Sequence, residues 1–224
     1  MEIVPNVHLI TNGFVNCYLI ADPDGLTLID TGLARNLNKV LKTIAGLNRQ
    51  PGDLKRIILT HSDGDHVGAL ADLKAASGAR AYASPIEAQA IEVARRSREL
   101  KVQGLRSVLV KLLAPMLKSK PAKVDELLEN GQVLPVLGGL QVVDTPGHTP
   151  GHISLYAPSA RILFGGDSMT AGRDGSLRCS SGMNTWDEAQ AKESVKIQAA
   201  LGAEIVCVGH GPVVREAAGK FPKI

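Results

Sequence analysis

Between Leu59 and His66 the chain sets four side chains able to ligate a metal, His61, Asp63, Asp65 and His66, directly behind the run Arg56-Ile57-Ile58-Leu59. A short apolar run bounded by polar and glycine residues reads as a buried strand, and the polar residues after it read as a helix start. The segment therefore predicts a metal held at a strand terminus, an arrangement that a layered α/β fold provides. In such folds strand ends converge on one rim, so residues distant in sequence can meet there. His148 and His210 also follow apolar runs or lie in Gly/Pro turns, as do Asp30 in Leu28-Ile29-Asp30-Thr31-Gly32 and Asp167 in Leu163-Phe164-Gly165-Gly166-Asp167.

Imidazole and carboxylate donors suit zinc, iron or manganese, and the lack of neighbouring cysteine ligands argues against a sealed structural zinc site. A metal held in this way polarises a carbonyl or phosphoryl oxygen and lowers the pKa of its water to about 7.

The chain of 224 residues, 44% hydrophobic, suits a single large domain or two closely joined lobes. Aromatics make up 3% and the formal net charge is +3, which leaves little for base stacking or phosphate binding and excludes a nucleic-acid partner as the expectation. Cys17, Cys179 and Cys207 form an odd set without C-x-x-C spacing, so reduced thiols and a cytoplasmic location are expected. The N-terminus lacks a basic region followed by an apolar stretch, and no apolar run approaches the ~18 residues a membrane span needs.

Short strands are predicted at Val7–Ile10, Val15–Ala21 and Leu26–Asp30, then a helix over Asn36–Leu47, a strand at Arg56–Thr60, a helix over Val67–Ser77 and a strand at Ala79–Ala83. Pro85 opens a predicted helix through Ile86–Leu100. A second run, with Leu105, Val108, Leu109, Leu112, Leu113, Met116 and Leu117 on one face, is expected to kink at Pro115, giving a basic helical insert over about 85–123. Strands return at Gln132–Val136, Leu140–Val143, His152–Ala157, Arg161–Phe164 and Glu204–Val208. Thr185-Trp186-Asp187-Glu188 reads as a capping box opening a helix over Ala189–Leu201.

These motifs resemble those of the metallo-β-lactamase superfamily, in its metallo-hydrolase, glyoxalase II-like branch. Thr60 to His66 is similar to the family's H-x-H-x-D-H motif with one change, Asp63 for histidine. Asp144-Thr145-Pro146-Gly147-His148-Thr149-Pro150-Gly151-His152 resembles its TPGHTPGH loop, while Ile29-Asp30-Thr31-Gly32, Gly166-Asp167 and Gly209-His210-Gly211 match further motifs in the family's order, from about Asn6 to Pro212.

The resemblance implies an αββα sandwich of two mixed β-sheets flanked by helices, folded as one domain over residues 1–224. It also implies two divalent metal ions, zinc first with iron or manganese as alternatives. One ion would take His61, Asp63 and His148, the other Asp65, His66 and His210, with Asp167 bridging. A hydroxide held there would attack the carbonyl of a small ester, thioester, lactone or lactam, and Asp65 would orient it and move a proton toward the leaving group. Asp63 alters the charge: two ions with Asp65, Asp167 and hydroxide sum to about +1, and Asp63 brings the cluster to about zero, weakening oxyanion stabilisation.

Alternatives on the same fold are a non-haem iron oxygenase acting on a sulfur compound, a nucleic-acid phosphodiesterase and a catalytically silent metal-binding protein. Asp30 reads as a residue that hydrogen-bonds backbone and ligands rather than a ligand itself. His152 reads as a turn or core residue and His8 as structural. Cys179 lies just beyond Asp167, and the basic insert reads as a lid or wall, with a pocket for an apolar acyl chain lined by Leu112, Leu113, Met116 and Leu117, or a nucleic-acid or anionic-membrane contact, as alternatives.

Overall fold

Strands β1 (Glu2–Val4), β2 (Val7–Thr11), β3 (Asn16–Asp22) and β4 (Gly25–Ile29) run antiparallel, and the last two are joined tightly through Pro23 and Asp24. β5 (Leu54–Ile58), β6 (Arg80–Ala83) and β7 (Glu126–Leu127) then add in parallel, so the seven-stranded sheet keeps sequence order. Parallel neighbours need crossovers, which helices α1 (Leu37–Gly46), α2 (Gly64–Val67), α3 (Leu70–Ser77) and α4 (Pro85–Glu92) supply. This sheet and its helices form the first of two compact units in the computed structural model, which describes residues 1–99 and 118–224. Val40 and Ile44 of α1 and Leu70 and Leu73 of α3 are fully or almost fully buried in one cluster with Leu19, Leu28 and Ile57 of the sheet. Each such side chain contributes about 1.5–3 kcal/mol.

The second unit carries β8 (Val133–Leu134), β9 (Leu140–Asp144), β10 (Ile153–Ala157), β11 (Ile162–Gly166), the ribbon of β12 (Met169–Ala171) and β13 (Leu177–Cys179), α5 (Glu188–Ala200), β14 (Ile205–Val208) and β15 (Val214–Arg215). Its six-stranded sheet runs β15-β14-β11-β10-β9-β8, with β11 and β14 parallel and the other pairs antiparallel. Its core joins Val143, Tyr156, Leu163 and Val206 to Val195 of α5. The architecture is the expected α/β class, two mixed sheets with flanking helices. Among the described residues no helix is long and apolar enough to cross a membrane.

Two strands shift from the sequence expectations, Arg56–Thr60 to β5 and Gln132–Val136 to β8, and three helix ends or caps differ. The helix predicted over Val67–Ser77 starts at Gly64 and breaks after Val67, because the Gly68 amide bonds to Gly32 O (2.8 Å) instead of continuing the helix. A Cβ on Gly68 would lie 2.6 Å from Gly64 O and 2.7 Å from Ala34 N. The helix predicted to reach Leu100 stops at Glu92 in a Schellman turn, with Ala94 left-handed (φ 50°), Ala94 N bonded to Ile91 O and Arg95 N bonded to Ala90 O. Alanine rather than glycine in that turn hides the stop from sequence. The helix predicted over Ala189–Leu201 runs Glu188–Ala200, and its cap is Asp187 rather than Thr185, the Asp187 carboxylate accepting from Ala189 N (2.8 Å) and Gln190 N (3.0 Å). The insert is not helical between Lys118 and Asp125. Its second predicted run, with the kink at Pro115, lies outside the described residues. β1, β7, the β12–β13 ribbon and β15, each two or three residues long, were not anticipated.

Candidate metal centre

In the first unit the parallel pair β4 and β5 brings Asp30 and Thr60 side by side just past their strand ends. The Asp30 carboxylate accepts from Thr60 N (2.9 Å), Thr60 Oγ1 (2.8 Å) and His66 Nδ1 (2.8 Å). Because Thr60 gives its hydroxyl proton to Asp30, its oxygen accepts from His61 Nδ1 (2.9 Å). One carboxylate thus fixes the tautomer of two histidines and places the lone pair of each on Nε2, the arrangement found behind metal-ligating imidazoles. Both rings are fully buried, with centroids 4.1 Å apart. The donor chemistry of His61 and His66 fits a divalent cation such as zinc.

Asp63 takes the N-cap position of α2, but its side chain does not cap the helix. Its carboxylate lies 3.7 Å from His61 Nε2 and 3.6 Å from Arg96 Nε. Asp65 occupies the first turn of α2 and is partly exposed. Behind the loop, fully buried Glu87 accepts from Ser62 N (2.9 Å) and Ser97 Oγ (2.9 Å), and Ser97 N donates to Ser62 Oγ (3.1 Å). Sequence reasoning missed Glu87. Ser84-Pro85-Ile86-Glu87 has capping-box spacing, and Ser84 does cap α4, but the glutamate turns to the ligand loop instead.

The second unit repeats the device. β11 and β14 are parallel neighbours, and their ends deliver Asp167 and His210, whose Oδ2 and Nε2 are 3.2 Å apart. His148 Nε2 lies 3.6 Å from the same carboxylate oxygen. The loop carrying His148 is tied to α5 by Trp186 N to His148 O (3.1 Å) and Asp187 N to Gly147 O (2.9 Å). Gly147, at φ 136°, packs against Ala191 of α5 too closely to admit a Cβ. His152 is structural, as expected: its Nε2 accepts from Asp167 N (3.0 Å) and its Nδ1 meets Thr145 Oγ1 (2.8 Å). It positions the backbone of Asp167.

Arg98, almost fully buried, donates Nη2–H to His148 Nε2 (3.2 Å) and holds Asn184 O through Nε and Nη2 (3.1 and 2.8 Å). Arginine is a donor only, so His148 carries its proton on Nδ1, which faces Ser180 Oγ (2.9 Å). The lone pair of His148 that fits a metal is therefore engaged by a guanidinium. No sequence signal distinguished Arg96 and Arg98 from the other basic residues of the insert. Cys179 is half-buried, donates to Ser180 O (3.5 Å) and has its thiol pKa pushed up by burial, which speaks against a thiolate nucleophile.

The chain is 29% identical to a probable metallo-hydrolase, YflN, of Bacillus subtilis, over 94% of this chain and 85% of that protein. It is 35% identical to a hydroxyacylglutathione hydrolase of Rhodopseudomonas palustris strain HaA2 over 68% of this chain, which spans 47% of that longer enzyme. A solved metallo-beta-lactamase of Cronobacter sakazakii described by its HARLDQ motif superposes with a TM-score of 0.73 at 26% identity, covering 94% of this chain and 77% of that one. The pattern of the Metallo-beta-lactamase superfamily matches residues 10–210. Ligand-type residues at strand ends, the two mixed sheets and this match over most of the sequence agree, and the chain belongs to the metallo-beta-lactamase superfamily.

Proposed function

We propose that the chain is a metal-dependent hydrolase acting on the carbonyl of a small ester, thioester, lactone or lactam. The observation that carries this is the Asp30 carboxylate holding His66 directly and His61 through Thr60, so that both buried imidazoles present Nε2. His61, Asp63, Asp65, His66, His148, Asp167 and His210 are the side chains we assign to metal binding. A divalent ion bound by such residues lowers the pKa of its water to about 7 and polarises the substrate carbonyl. Asp65, partly exposed at the start of α2, is assigned to orient the attacking water and carry its proton toward the leaving group. Asp167, anchored through its amide to His152, keeps its carboxylate beside His148 and His210. The thioester class is favoured by the hydroxyacylglutathione hydrolase relative. Three free cysteines and the few aromatics fit a reducing compartment and a small-molecule substrate rather than a nucleic acid.

The test is a panel comprising a glutathione hydroxyacyl thioester, an aryl ester, a lactone and a lactam, assayed with zinc- or manganese-loaded protein. Turnover of at least one substrate, lost by more than about 100-fold on chelation and restored by adding the metal back, is the expected result. Loaded protein that turns over none of the four, or that holds iron and consumes oxygen, would remove the proposal.

A further inference from the structure

We infer that Arg96 and Arg98 stand in for the first of the family's two metal ions, so that this chain holds one tightly bound ion rather than two. The inference rests on the metal assignment above and concerns how many ions that ligand set retains. Of the three side chains assigned to the first ion, two already face a guanidinium within their own unit. Arg96 Nε lies 3.6 Å from Asp63 Oδ1, and Arg98 donates to His148 Nε2 at 3.2 Å.

The two contacts differ in chemistry but act in the same sense. A metal at His148 would need the Nε2 lone pair that Arg98 engages, and arginine cannot lose its proton to make room. A metal at Asp63 would compete with Arg96 for the carboxylate. Each guanidinium also sets a fixed positive charge against its own ligand, which opposes the approach of a divalent cation there.

The unusual residue at position 63 now has a partner. A carboxylate matches a guanidinium, whereas an imidazole there would not, and the Schellman turn that ends α4 after Glu92 carries the chain on to Arg96 beside Asp63. Arg98 is held as a built feature, with two of its nitrogens on Asn184 O and little solvent exposure. His66, assigned to the other ion, is backed by the carboxylate of Asp30, as His61 is through Thr60, so what sets the first ion's ligands apart is the guanidinium on Asp63 and on His148.

Metal content is the readout, independent of activity. Protein produced with excess zinc and dialysed against metal-free buffer should retain about one zinc per chain, while R96Q/R98Q should retain about two, its second ion bound at least ~10-fold more tightly than by wild type. R98K, which keeps the charge, should stay at one. Should R96Q/R98Q prove unfolded by circular dichroism, R96Q alone, at a half-buried position, is expected to gain the second ion. Two zinc ions retained by wild type would overturn the inference and leave the hydrolase assignment standing. A folded R96Q/R98Q protein still holding one would overturn it as well. Wild type that retains neither zinc nor, when produced with it, manganese would overturn both.

Discussion

Asp30 sits at φ 57°, in the left-handed region, and accepts hydrogen bonds from Thr60 N, Thr60 Oγ1 and His66 Nδ1. A non-glycine residue in that region carries strain of about 1–3 kcal/mol, which hydrogen bonds to a carboxylate, worth roughly 1.5–3 kcal/mol each, outweigh. Asp30→Ala should keep the fold but release His66 and, through Thr60, His61, lowering zinc affinity by about 10–100-fold in competition with a chromophoric chelator. Affinity unchanged within about twofold would show that the histidines are oriented by something else. The role of Asp30 was legible in the sequence as a supporting residue in an Asp-Thr-Gly turn. Arg96 and Arg98 were not, because a basic residue in a charged helical run looks the same whether it faces solvent or an aspartate. The charge count that took the cluster to about zero with Asp63 did not include Arg96, whose guanidinium lies 3.6 Å from that carboxylate.

At the scale of elements, periodicity located every described strand longer than three residues, and the errors at helix ends fell where a tertiary contact or a non-glycine turn set the end. α5 illustrates this. Thr185-Trp186-Asp187-Glu188 has the spacing of a capping box, yet Thr185 Oγ1 bonds to Ser180 Oγ (2.8 Å) and Asp187 caps the helix two residues later. Ser180 in turn faces His148, so Thr185 was drawn away from the helix by the site. Asp187→Ala should cost about 1 kcal/mol, read as a lower urea midpoint with an unchanged slope. A midpoint identical to wild type would mean that the carboxylate of Asp187 does not stabilise the helix start.

For the whole molecule, Cys17 lies in the core of the first unit and Cys207 in that of the second, both fully buried. Burial pushes the Cys17 thiol up to about 12, with the nearby charge of Asp30 adding to the effect, and burial likewise raises that of Cys207. Neither forms appreciable thiolate near neutral pH, so native protein should react with a thiol reagent at half-buried Cys179 first. Cys17 and Cys207 therefore report the opening of their own units. If residues 1–224 fold as one cooperative domain, both should become reactive at the same urea concentration. Separate midpoints in a mass-spectrometric labelling series would show two independently unfolding units.

The sequence by itself determined the α/β class, the strand-end placement of His61, Asp63, Asp65 and His66, and the later positions of His148, Asp167 and His210. It could do so because apolar runs followed by polar or glycine residues mark strand ends whatever surrounds them. Tertiary structure decided which groups face those ligands: Asp30 and Thr60 behind two histidines, Glu87 under their loop, His152 behind Asp167, Arg96 on Asp63 and Arg98 on His148. Those pairings join residues separated by as many as 50 positions, as in Arg98 and His148, and local patterns carry no information about such contacts.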